Sequence, residues 1–266
     1  MASAVGLLGA VLLILLLRAA DSAACTKTVR WFDDPPYSFR QADGQIGGFD
    51  ADLAREVLRR TGCSARFVNM PWARALVELE SGNLDVLPGS FRSQQRERYA
   101  YFSIPVQQTP NVLYLSPAAA EKYRPATLAE LGGTPFRLGV QIGVSYGEHF
   151  EALKASPAFH SNLVPVTLRR NAWRMMQMGR IDGMIADEAS AEVELRQLGL
   201  EQTLLPSKIV VPTDPVMFAF SKASVTADFV AAFDKQLQTL ITNGQYRKLR
   251  ERYFPCGRAG APTACK

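Results

Sequence analysis

Apolar residues along this chain alternate between two spacings, and the changes mark out strands and helices in turn. Residues 28–32 read as a strand, followed by the turn-rich Asp33-Asp34-Pro35-Pro36. In 51–61 the apolar Leu53, Val57 and Leu58 recur at helical spacing, and Gly62 ends the run. Asp50, just ahead of it, suits an N-cap. Then come a strand at 65–69, a helix at 72–80 and a strand at 84–87. Strand, helix, strand, helix, strand is the order of a parallel α/β sheet.

A second unit repeats this order. It has a short helix at 125–131, a strand at 136–141 ending at Gly143, a helix at 146–154 and a strand at 163–167. A helix at 171–178, a strand at 183–185 and a helix at 189–198 follow. A further strand covers 216–220, and 229–253 is one long amphipathic region ending in Tyr253-Phe254-Pro255.

Residues 5–17 are an unbroken apolar stretch of 13, followed by small residues through Ala24. A membrane span takes roughly 20 residues, whereas a signal-peptide core is this short. Residues 1–24 are therefore expected to be a cleaved leader, although no Lys or Arg precedes the apolar stretch. Ser22 stands where a lipobox places Leu, so the expectation is a soluble exported protein rather than one lipidated on Cys25. The four cysteines fit an oxidising compartment. Cys25 opens the first strand and Cys63 precedes its neighbour, so these two are expected to pair. Cys256 and Cys265 bracket a Gly/Ala/Pro-rich tail and are expected to pair with each other. With no C-x-x-C and only His149 and His160, a zinc site is not expected, nor is any cofactor.

About 240 residues after the leader make one large or two modest domains. The net charge of +5 is spread among acids, as in Arg96-Glu97-Arg98, so no stripe for nucleic acid forms.

The stretch 81–105, SGNLDVLPGSFRSQQRERYAYFSIP, carries Arg96 six residues ahead of Phe102-Ser103-x-Pro105. Gly48-Phe49-Asp50-x-Asp52-Leu53 precedes it. Together these resemble the family 3 extracellular solute-binding proteins, which capture polar amino acids for ABC importers. The resemblance implies a two-lobed, type II periplasmic binding protein-like α/β fold with lobe 1 at 26–112 plus 214–255. Lobe 2 would be inserted at 113–213, the hinge would lie near 108–113 and 211–216, and 256–266 would form a disulfide-closed tail. It also implies a periplasmic, non-enzymatic monomer that hands its ligand to an ABC permease.

A zwitterion needs a cation for its carboxylate, an anion for its ammonium and walls against water. The resemblance puts Arg96 on the α-carboxylate, and a guanidinium's paired N–H groups suit two carboxylate oxygens. Residues 179–187 resemble the family's G-x-x-D-hydrophobic-D motif, which puts Asp187 on the amine. Asp187 is equally placed to cap the helix at 189–198. The 141–145 loop resembles Gln-x-Gly-Thr-Thr, so the amides of Val144 and Ser145 and the Ser145 hydroxyl would share the carboxylate. Trp72 would stack on the ligand, Gly89 and Ser90 would offer carbonyls to the amine, and Ser93 a hydroxyl. The chain departs from the pattern at Phe91, Gln95, Val106 and Asp34. Trp31, Tyr37 or Tyr146 would have to supply the second aromatic wall. Arg74 would face the cleft or solvent. A rival on the same scaffold is a cyclohexadienyl or arogenate dehydratase, which needs a general acid such as Glu188 or His149. A third is a binding module for a separate sensor.

Overall fold

The computed structural model describes residues 25–254. The leader and the Cys256–Cys265 pairing lie outside the described residues. The strands are β1 (Cys25–Trp31), β2 (Phe39–Arg40), β3 (Ile46–Gly47), β4 (Cys63–Asn69), β5 (Val86–Ser90) and β6 (Ala100–Phe102). The remaining strands are β7 (Asn111–Leu115), β8 (Leu138–Gln141), β9 (Leu163–Val166), β10 (Gly183–Asp187), β11 (Leu205–Val211) and β12 (Met217–Ser221). The helices are α1 (Phe49–Arg60), α2 (Trp72–Ser81), α3 (Gln94–Glu97), α4 (Pro117–Tyr123) and α5 (Glu148–Lys154). They continue with α6 (Pro157–His160), α7 (Arg169–Gln177), α8 (Glu188–Leu198), α9 (Ala227–Thr242) and α10 (Gln245–Tyr253).

Two five-stranded sheets result, ordered β4-β1-β5-β12-β6 and β11-β7-β10-β8-β9. β4, β1 and β5 are parallel, as the sequence implies, but the returning β12 runs antiparallel to β5 and β6. In the second sheet β7 is antiparallel to β10 and β11. The sheets are therefore mixed rather than all-parallel. β7 enters the second sheet from the other lobe, with no crossover helix to reverse it.

Successive strand residues face opposite ways, so each sheet has a core on both sides. Phe218 and Phe220 join one core with Phe49, Leu53, Val57 and Leu58 of α1, while Ala219 joins Leu79 and Leu84 on the opposite face. Val112 and Tyr114 pack on Trp173 and Met176, whereas Leu113 and Leu115 pack on Phe136 and Phe150. Cys25 and Cys63 are register partners across β1 and β4 and are disulfide-bonded, with their Cα atoms 4.5 Å apart.

Three expectations need correction. The N-cap of α1 is Gly48, not Asp50, which lies buried in the helix's first turn. A Cβ on Gly48 would stand 2.4 Å from the Tyr37 carbonyl oxygen, and its φ of 111° suits glycine alone. The helix before β8 is α4, capped by Ser116, with only a 3-10 turn at Ala129–Leu131. The region 229–253 is two helices, broken at Asn243 and Gly244 (φ 79°).

The first sheet draws its strands from both ends of the described chain, and the second takes all of its strands between Asn111 and Val211. The two connecting segments are bonded side by side: Val106 N donates to Val216 O (2.9 Å) and Val216 N to Gln107 O (2.8 Å). The Thr213 hydroxyl donates to Thr109 O at 2.9 Å. This paired crossing joins two lobes and leaves a cleft between them.

Candidate functional site

The cleft holds a cavity of about 320 Å³ lined from both lobes. The first lobe contributes the ends of β1 and β5, the loop after β1 and the start of α2. The second contributes the loop after β8, the end of β10 and the start of α7. Among the residues expected at the ligand, Arg96, Asp187, Trp72, Gly89, Val144, Ser145 and Tyr146 all line this cavity. Ser90 and Ser93 do not. The Ser90 hydroxyl is fully buried and turned to Leu87 O, and Ser93 caps α3 by accepting from Arg96 N at 3.3 Å.

That cap fixes the turn carrying Arg96. Arg96 is 8% exposed, and burial lowers its pKa. Its Nη1 donates to Phe91 O (3.0 Å) and Nη2 to Gly143 O (3.2 Å), and its carbon lies 5.8 Å from the Trp72 ring centroid. Trp72 Nε1 donates to the same Gly143 oxygen at 2.9 Å. Gly143 has φ of 78° and approaches so closely that a Cβ would meet Trp72 at 3.3 Å.

Asp187 ends β10 and caps α8. Its Oδ1 accepts from Ser190 N (2.9 Å) and from the Tyr37 hydroxyl of the other lobe (3.0 Å). Its Oδ2 is buried with no hydrogen bond of regular geometry from the described residues, and the Thr109 hydroxyl beside the carboxyl is the strongest of the groups that oppose the effect of burial. Burial raises this carboxyl's pKa against the opposing pull of its hydrogen bonds and of Arg169. A buried carboxylate oxygen without a donor is costly, and a cationic donor would satisfy it.

The aromatic walls are Trp72, Phe32, Tyr37, Phe91 and Tyr146, while Trp31 is buried under Arg40. The Tyr146 hydroxyl also accepts from Gln141 N at 2.9 Å, which braces the 141–145 loop. Ser145 Oγ lies 3.4 Å from Glu151. The exposed Arg74 pairs with the buried Glu78 one turn along α2, and neither Glu188 nor His149 lines the cavity.

The sequence reading missed a charged cluster on the opposite wall. Asp34 Oδ1 accepts from Arg169 Nη2 (2.5 Å) and Ser190 Oγ (2.9 Å), both in the second lobe. Arg169 also grips Glu194 through Nε (2.8 Å) and Nη2 (3.0 Å), and Trp173 Nε1 donates to Glu194 at 2.6 Å. Burial pushes the Asp34 carboxyl up, but the Arg169 charge and hydrogen bond outweigh it and hold it below the usual range. Beside this cluster burial raises Asp50 to about 7, with Asp34 adding to the effect and Arg30 opposing it. The place of Arg169 held a signal, because it joins a parallel strand to a helix, the edge where α/β proteins bind ligands.

Residues 31–255 match the model of the bacterial extracellular solute-binding proteins, family 3. The chain belongs to that family. It is 25% identical over 231 residues to "ABC transporter arginine-binding protein 1" of Escherichia coli (strain K12), covering 83% of this chain and 87% of that protein. It is 28% identical over 257 residues to the "Lysine/arginine/ornithine-binding periplasmic protein" of the same strain, covering 91% of this chain and 94% of the relative. Among solved structures, a mutant of ArgBP from T. maritima superposes with a TM-score of 0.73 at 24% identity, covering 88% of this chain and 97% of that one. That likeness shows the two-lobed fold. In this solute-binding protein Arg96 and Asp187 line one cavity from opposite lobes.

Proposed function

We propose that this protein captures an amino acid or related small carboxylate between its lobes and delivers it, as a periplasmic monomer, to an ABC-type permease. Export would use residues 1–24, and the lobes would divide as 26–112 plus 214–255 and 113–213. The observation that carries the reading is the buried Asp187 carboxyl, whose Oδ2 accepts no regular hydrogen bond from the described residues, on the cavity shared with Arg96. In the mechanism the α-carboxylate displaces the Gly143 carbonyl from part of the Arg96 fork, and the ammonium donates to Asp187. Trp72 and Tyr37 shut out water. The two contacts come from different lobes, so the ligand adds to the Asp34–Arg169 and Tyr37–Asp187 links that already join the lobes across the cleft.

A thermal-shift screen of amino acids, small dicarboxylates, opines and prephenate tests this. A ligand at about 100 times its dissociation constant adds roughly 2.7 kcal/mol of stability. A screen in which no amino acid or small carboxylate shifts the melting temperature would defeat the proposal.

A dehydratase on this scaffold has one observation in its favour: the cavity-facing Asp50 carboxyl, with its pKa near 7, suits a general acid. Consumption of prephenate by the wild type but not by Asp50→Asn would support that reading over capture alone.

A further inference from the structure

Four arginines line the cavity, and they differ in how they are paired. Arg169 is held by Asp34 and Glu194, and Arg170 lies 3.7 Å from Asp33. Arg30 and Arg96 have no carboxylate within ion-pair distance among the described residues. Arg96 already has an assignment in the proposed function. Arg30 has none.

Arg30 stands near the C-terminal end of β1, with Nε donating to Met70 O at 3.2 Å. Its two terminal nitrogens have no hydrogen-bond partner among the described residues, which leaves four N–H donors of a planar fork unused. Burial lowers its pKa to about 10, so it stays charged at neutral pH. Of the two acids that act on it, Asp34 is committed to Arg169 and Ser190, and burial raises the Asp50 carboxyl to about 7. The Arg30 and Arg96 guanidinium carbons lie 5.5 and 5.8 Å from the centroid of the same Trp72 ring. One indole thus lies within about 6 Å of two cations, both with donors to spare.

We propose that Arg30 is a second anion-binding point and that the ligand is an α-amino acid with a carboxylate on its side chain. This rests on the amino-acid reading above: Arg96 takes the α-carboxylate, Asp187 the ammonium, and Arg30 the distal carboxylate. A cationic side chain there would be repelled by the guanidinium, and a neutral amide would offer its free terminal N–H groups no charged acceptor beyond the nearby Asp34 and Asp50. The proposal separates this chain from relatives named for arginine and lysine.

The test is calorimetric titration of the whole mature protein with L-glutamate, L-aspartate, L-glutamine and L-arginine. The expected result is that L-glutamate or L-aspartate binds at least about tenfold tighter than L-glutamine or L-arginine. In Arg30→Gln the ratio of L-glutamate to L-glutamine affinity should fall about 30-fold or more. If that variant does not fold, the same ratio in Arg30→Lys, expected to fall about tenfold, decides the matter. Tighter binding of L-arginine or L-glutamine by the wild type, or an unchanged ratio in the variant, would overturn the inference and leave the binding-protein reading standing. If no amino acid or small carboxylate binds, both fall.

Discussion

Asp34 and Arg169 come from different lobes and meet at 2.5 Å on the cleft wall, and Arg169 reaches back at the same time to Glu194. One guanidinium thus serves two carboxylates, and the ion network links the lobes independently of the Arg96 side.

Replacing Arg169 with alanine leaves the buried Glu194 and the half-buried Asp34 without their cation. The expected loss is roughly 3–5 kcal/mol of stability, read by urea denaturation. Arg169→Lys should recover only part of it, because a point charge cannot bridge two carboxylates. Wild-type stability in Arg169→Ala would show that the network carries no energy.

Arg96→Ala should weaken binding of a confirmed ligand by roughly 2–5 kcal/mol in calorimetry. For Asp187 the informative change is Asn, which keeps the N-cap bond to Ser190 and removes only the charge. Asp187→Asn should impair α-amino ligands far more than carboxylates lacking the amine. Equal losses for both ligand types would place the ammonium elsewhere.

Asp50 sets a pH dependence. Its pKa is raised from 3.8 to about 7 in the folded protein, so the folded state binds the extra proton between those values. Stability from this group is therefore lost as pH rises through about 7 and is retained at lower pH. Asp34, Asp187 and Arg30 share its surroundings, so the group must be isolated by difference. Denaturation of wild type and Asp50→Asn at pH 5 and pH 8 should show the variant gaining relative stability at the higher pH. A pH-independent difference between the two proteins would contradict this.

Gly143→Ala should cost about 1–2 kcal/mol from its left-handed backbone alone. It should also loosen the shared contact of Trp72 and Arg96 with the 143 carbonyl. Tryptophan fluorescence of the ligand-free variant should shift while far-ultraviolet circular dichroism stays unchanged. An unchanged fluorescence spectrum would mean that the loop does not rest on Trp72.

Most of the fold was legible because local pattern and global packing agree. β1, α1, β4, α2 and β5 each show a clean period bounded by a turn residue. The break at Asn243 and Gly244 was hidden because the apolar phase of α9 runs on into Leu249 and Tyr253 of α10. The edge strand β11 was missed because it leaves Leu205 and Val210 exposed. At the cavity, Arg96 and Asp187 sit in contiguous motifs and could be read directly. The Asp34–Arg169 pair could not, since its members lie 135 positions apart and only the closed cleft joins them. Asp50 was misread for a local reason: its capping role falls to Gly48, where backbone contact excludes any side chain.

The strand order β4-β1-β5-β12-β6 has a consequence for how the protein is made. β6 pairs with β12 alone, and β12 begins at Met217, long after β6 has left the ribosome. Until then the first sheet is a three-stranded fragment whose β5 edge stays open and whose β6 has no neighbour. The second sheet is contiguous in the chain and can assemble as soon as Val211 emerges. A chain that emerges from its N-terminus can therefore pair every strand of the 111–211 sheet before the sheet begun by β1 has all of its strands.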